Sequence, residues 1–163
     1  MLPTISVNDT IRRLEQSLRD LEWAVSLVPQ PLHQRAPFGM WSVAMNLAHL
    51  AAYEERLAAP SIEALAAGED ACALAPSGGE DWFQREAETL SRESSERILE
   101  RLKIARQRQV ETLRSFPEEA FNAAVPTLWG LRSPAWVLSK TFQHTWEHGN
   151  TILQIVLFAQ RMA

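Results

Sequence analysis

The amino-acid sequence predicts an all-α fold, a four-helix bundle, and three features carry that expectation. Apolar residues recur at steps of three and four over long stretches, the spacing that lines up one face of a helix. Most prolines and glycines fall between those stretches. Alternating runs joined by Asn-Gly or Asp-Gly turns are missing, and so is any internal repeat. Amphipathic helices with no sheet to cover bury their stripes against one another, so a bundle is the economical architecture.

The first stripe is Ile11, Leu14, Leu18, Leu21, Val25 and Val28. Asn8 or Asp9 is expected to cap its start, and Pro29 with Pro31 to end it, because proline brings no amide and disfavours helix before it. Pro29 to Met40 then reads as a loop. A second helix begins near Trp41-Ser42 and runs through Val43, Leu47, Leu50 and Leu57, where Pro60 either stops it or opens an extension to Gly68. From Gly68 to Asp81 the run GEDACALAPSGGED has no period and is read as a loop, either a linker or a mobile lid. Neither Gly nor Pro interrupts the chain between Gly79 and Pro117, and Phe83, Ala87, Leu90, Ser94, Ile98, Leu102, Ala105, Gln109, Leu113 and Phe116 predict one long third helix. Its basic residues Arg101, Lys103, Arg106 and Arg108 are read as a solvated face. Pro117 to Arg132 is a connection, and Ser133-Pro134 opens the fourth helix, which runs to about Gln160: serine caps, and proline suits the first helical position.

At 163 residues the chain has room for one domain over 1–163. Hydrophobic residues make up 46% and charged residues 22%, too apolar a mixture for intrinsic disorder. A net charge of −4 offers no basic field for a phosphate backbone, so nucleic acid is not expected as a partner. The single cysteine, Cys72, makes no internal disulfide, which fits a reducing cytoplasm. MLPTISVNDT does not read as a secretory signal, and Thr151 to Ala159 is far short of the roughly 20 apolar residues that cross a bilayer, so no membrane partner is expected.

Chemistry concentrates in the histidines. His144 and His148 stand one turn apart on the fourth helix, on the stripe Val137, Thr141, His144, His148, Thr151, Ile155. Residues four apart leave one face about 6 Å apart along the axis, so both imidazoles can turn toward one ion. His49 lies mid-way along the second helix, at an edge of its buried face. Three imidazoles would leave a tetrahedral ion one open position. An i,i+4 histidine pair also occurs as hydrogen-bonded core or on surfaces, so spacing by itself leaves both readings open. His33, in the proline-rich loop, is read as structural, and Glu147, about 100° around the helix from His148, as a solvated charge. A zinc-protease H-E-x-x-H is excluded because Thr145 stands where its glutamate would be, and a ferritin-like site because Asn46, Thr141 and Thr145 replace the required glutamates. G-x-S-x-G and glycine-rich phosphate loops are absent, and Cys72 has no evident thiolate-stabilising neighbour.

The segments WSVAMNLAHLAAYEERL and HTWEH resemble those of the DinB/YfiT-like superfamily of four-helix metalloproteins, whose members carry a Trp-Ser helix start with a histidine about two turns on. The resemblance covers most of the chain and implies that His49, His144 and His148 are metal ligands. It also implies a divalent ion (zinc or nickel, with iron also suited to three imidazoles) and a low-molecular-weight thiol as co-substrate. The implied reaction is transfer of that thiol to a small electrophile, or a thiol-assisted isomerisation, and the implied assembly is a homodimer through helix faces. Tyr53, Trp41 and Trp146 are candidates to line the pocket. After His148 this chain reads Gly149, Asn150, Thr151 where many members have an Arg-Gly-Gln-like continuation, so substrate contacts are expected to differ. The competing expectation is a non-enzymatic stress-response or interaction module with structural histidines, in which exposed tryptophans form a partner surface.

Overall fold

A computed structural model describes residues 4–37, 39–74 and 79–162. Helix α1 spans Val7–Ser26 and buries Leu14, Leu21 and Val25. Its cap is Ser6 rather than Asn8 or Asp9: Ser6 is extended, and its Oγ accepts the Asp9 N–H at 3.0 Å. The stripe continues past the helix end to Val28, which stays buried although Leu27 already turns out of the helix. The following loop contains one 3₁₀ turn, Gln30–Leu32. His33 is buried there and its Nε2–H donates to the Val28 carbonyl at 2.8 Å, so it is structural, as its loop position suggested.

Helix α2, Val43–Tyr53, starts where Ser42 Oγ accepts the Met45 N–H at 3.1 Å. Pro60 does not stop the chain. A π-turn, Glu54–Ala58, leads into α3, Ala59–Ala67, which ends at Gly68 with φ +72°, a conformation only glycine adopts without strain. The wider turn fits proline, which has no amide to give the preceding turn and whose ring crowds a carbonyl there. Beyond Gly68 a 3₁₀ turn covers Ala71–Leu74, and residues 75–78 of the expected loop lie outside the described residues. Helix α4 begins at Gly79, so Asp81 is helical rather than part of that loop.

The long third helix is in fact two, α4 (Gly79–Leu90) and α5 (Ser95–Arg114). Serines make the break: Ser91 Oγ donates to the Glu88 carbonyl, and Ser94, extended at φ −67° and ψ 147°, caps α5 through the Arg97 N–H. Such hydroxyls offer the backbone partners outside the helix without any Gly or Pro. After the short α6, Glu118–Phe121, comes a second departure: β1, Val125–Thr127, pairs antiparallel with β2, Gly130–Arg132. Three residues per strand are too few to show alternation, and Gly130 takes the positive φ the tight turn needs. Helix α7, Pro134–Met162, is capped by Ser133 as expected.

The fold is thus mostly helical, with α1, α2–α3, α5 and α7 forming the bundle and α4 packed along α2. Helix α1 lies along α7, and α2 packs on both α5 and α7. Leu14, Leu21, Leu47, Leu50, Ile98, Leu102, Leu138 and Ile152 fill the interior. The basic run on α5 is not merely solvated. Arg101 pairs with Glu55, Lys103 with Glu22 and Arg108 with Glu63, while Arg106 is 2% exposed and grips Glu54, itself fully buried. Arg106 also reaches the Leu14 carbonyl, Ser17 and Thr145, and Gln109 donates to Glu54. Its position on the inward stripe of α5, between Leu102 and Gln109, is what carries this arginine inside. Among the described residues no helix is long and apolar enough to cross a membrane.

Candidate metal centre

The contact between α2 and α7 brings the three histidines named from the sequence into one cluster. One nitrogen of each lies within 4.8 Å of the others. Nε2 of His144 and Nε2 of His148 are 3.1 Å apart, close to the edge of about 3.3 Å that a tetrahedron with metal–nitrogen bonds of about 2.0–2.1 Å would have. His49 faces both from across the helix pair, its ring centroid 5.1 Å from that of His144 and 5.0 Å from that of His148. His33 lies apart, in its loop.

The start of α2 orients His148. The Asn46 side-chain NH₂ donates to the Ser42 carbonyl at 2.9 Å and the Trp41 carbonyl at 3.3 Å, which turns its Oδ1 toward His148 Nδ1 at 2.7 Å. An amide oxygen only accepts, so His148 carries its proton on Nδ1 and presents the lone pair of Nε2 to the cluster. Trp41 stacks on His148 at 5.8 Å with rings 13° apart and leans on His49 at 5.1 Å. Tyr53 meets His144 edge-on at 4.8 Å. Its hydroxyl is buried with no partner in hydrogen-bonding geometry despite the nearby Thr141, and burial raises its pKa above the usual phenol range, so the tyrosine is a neutral brace.

Burial holds all three imidazoles neutral. It pushes His144 down to about 3, with the neighbouring His148 and His49 adding to the effect, and His148 down to about 4; His49 is lowered too. Nδ1 of His49 and Nδ1 of His144 are buried without a partner. A set of neutral, convergent imidazoles with no carboxylate is donor chemistry that suits a divalent transition-metal ion.

The cluster opens on a cleft of about 510 Å³ that His49, Tyr53, His144, Lys140, Phe83 and Trp129 help to line. Trp129 reaches it from the β1–β2 hairpin and Phe83 from α4, two elements whose boundaries the periodicity did not reveal. Trp146 is a correction. It sits outside the cleft, 38% exposed, with Nε1–H donating to Asp20 at 3.3 Å, because it is two residues from His144 and so leaves α7 on another side. Glu147 is exposed and paired with Gln143, in keeping with a solvated charge. Cys72 is an unactivated thiol, pushed up by partial burial and by Asp70. Asn46 is the site residue that the spacing argument passed over; its place one turn before His49, on the same helix face, was the available signal.

The family model of the DinB superfamily matches residues 13–152. The chain belongs to the DinB superfamily. Among solved structures, this DinB-superfamily chain is similar to the mycothiol-dependent maleylpyruvate isomerase, with a TM-score of 0.74 at 15% identity over 93% of the chain. A histidine-to-alanine variant of that isomerase matches equally, with a TM-score of 0.74 at 14% identity. The chain spans 63% of the isomerase's length, and the likeness establishes the shared fold. No curated protein matches the sequence.

Proposed function

We propose that His49, His144 and His148 hold one divalent ion, zinc or nickel, and that the protein joins a low-molecular-weight thiol to a small electrophile in the adjoining cleft. The observation that carries this reading is the convergence of three neutral imidazoles, one nitrogen each within 4.8 Å, at the wall of a cleft of about 510 Å³. The thiol is supported by a protein of the same fold that is mycothiol-dependent.

Such an ion, when bound, supplies charge stabilisation that lowers the pKa of a thiol at its open position. The chain does the rest. Asn46 fixes the His148 tautomer, so that a lone pair and not a proton faces the cluster. Trp41 and Tyr53 hold the imidazole planes, and Leu57, Phe83 and Trp129 keep water from the reacting groups. The balanced reaction is addition: the sulfur forms a bond to one carbon of an activated double bond, the π pair moves to the other carbon, and the proton lost by sulfur is returned there. Reversal after rotation about the new single bond isomerises the alkene, so transfer and isomerisation share one step.

Elemental analysis of purified protein after incubation with zinc or nickel tests the reading. About one ion per chain is expected in wild type and its loss in His49→Ala, His144→Ala and His148→Ala; a metal-free wild type overturns it. A second reading, an interaction module, is favoured by one observation: Trp23 and Trp146, 58% and 38% exposed, line a shared groove between α1 and α7.

A further inference from the structure

We propose that Lys140 makes the cleft beside the histidines a binding site for carboxylate-bearing ligands. The inference rests on the reaction just described, for it names the class of its electrophile. Four basic residues among the described ones are partly or fully buried: Arg101, Lys103, Arg106 and Lys140. Three of them have a carboxylate, Glu55, Glu22 and Glu54 respectively. Lys140 has none within ion-pair reach among the described residues.

Its position states what that charge is for. Lys140 is one turn before His144 on α7, so the two side chains leave one face about 6 Å apart along the axis, and both line the cleft. Leu57, Tyr53, Phe83 and Trp129 give the wall apolar surface that strengthens an ion pair, with Gln84 as a neutral polar neighbour. The other charge that reaches the cleft is an exposed acid, Asp81; the histidines beside it are neutral. No arginine fork is among the lining residues, so the site offers one ammonium, a match for a single carboxylate rather than for a phosphate with three anionic oxygens to satisfy. Tyr53, Phe83 and Trp129, which line the same cleft, suit a flat, conjugated body attached to that carboxylate.

Cinnamate and its neutral isostere cinnamamide make a matched pair of probes, titrated calorimetrically into wild type and the Lys140→Met and Lys140→Arg variants, metal-free and zinc-loaded. We expect wild type to prefer cinnamate by at least tenfold in both metal states. Lys140→Met should abolish the preference by weakening cinnamate alone, and Lys140→Arg should retain it. A preference that survives in Lys140→Met, or one confined to the zinc-loaded protein, assigns the carboxylate elsewhere and overturns the proposal, as does failure of wild type to bind cinnamate. Zinc stoichiometry from the same titrations separates the two readings. Lys140-dependent cinnamate binding in a chain that takes no zinc would remove the metal and leave the anion site standing.

Discussion

Two polar clusters adjoin along α7, a buried one around Arg106 where α5 meets α1, α7 and the π-turn, and a half-buried one around His144 where α2 meets α7, and they are finished to different degrees. Around Arg106 every charge is answered: the guanidinium meets Glu54, the Leu14 carbonyl, Ser17 and Thr145, and Gln109 donates to Glu54, although the neutral Oε1 of Gln109 has no partner. Around His144, the residue before Thr145, ring nitrogens of two histidines have no partner and the cluster opens on a cleft. Buried polar groups in native proteins are satisfied as a rule. The charge-complete cluster therefore reads as structure that ties α5 to α1, α7 and the π-turn, and the open histidine cluster is the one that the proposed function gives to a ligand.

The largest effect should come from unbalancing the completed cluster. Glu54→Leu leaves the Arg106 charge buried and unanswered and should cost about 3–5 kcal/mol in chemical denaturation, while adding Arg106→Met should restore most of the loss. A double variant as unstable as the single would break the comparison. Zinc at a hundred times its dissociation constant should stabilise wild type by about 2.7 kcal/mol, and the gain should vanish in His144→Ala. Acid sharpens the same point in metal-free protein. His144 and His148 have folded values of about 3 and about 4 against an ordinary 6.5, so unfolding takes up protons below pH 6.5. Their contribution to stability is whole above that pH and falls as pH drops from 6.5 toward 3; a flat profile in denaturation titrations would contradict the neutral, half-buried histidines.

Smaller effects belong to supporting residues. Asn46→Ala should weaken zinc binding by about 10–100-fold, and Asn46→Asp, which keeps an acceptor for His148, should retain it. A calorimetric titration that finds both variants equal to wild type would remove Asn46 from the site. Ser94→Ala should cost about 1 kcal/mol by uncapping α5, without touching zinc affinity.

Local signals made much of this legible. The step-three-and-four stripes, the Ser133-Pro134 start and the paired histidines of α7 are all written within one turn or one helix, and periodicity suffices to read them. The break at Ser91–Ser94 and the hairpin were not legible, because serine hydroxyls and three-residue strands leave no mark on apolar spacing. Arg106 misled for a related reason: a charge on a stripe looks solvated until Glu54, more than fifty residues away, is known to face it.

By itself the sequence determined the helical class, the i,i+4 geometry of His144 and His148, and the DinB likeness of the two segments that carry the histidines. Only the tertiary structure decided that His49 closes the triangle, that Asn46 sets the tautomer of His148, and that Lys140 lines the cleft with no carboxylate partner among the described residues. The division is physical. Backbone hydrogen bonding fixes relations over one turn, whereas a site joining residue 49 to residue 144 exists only once packing has chosen which faces of α2 and α7 meet.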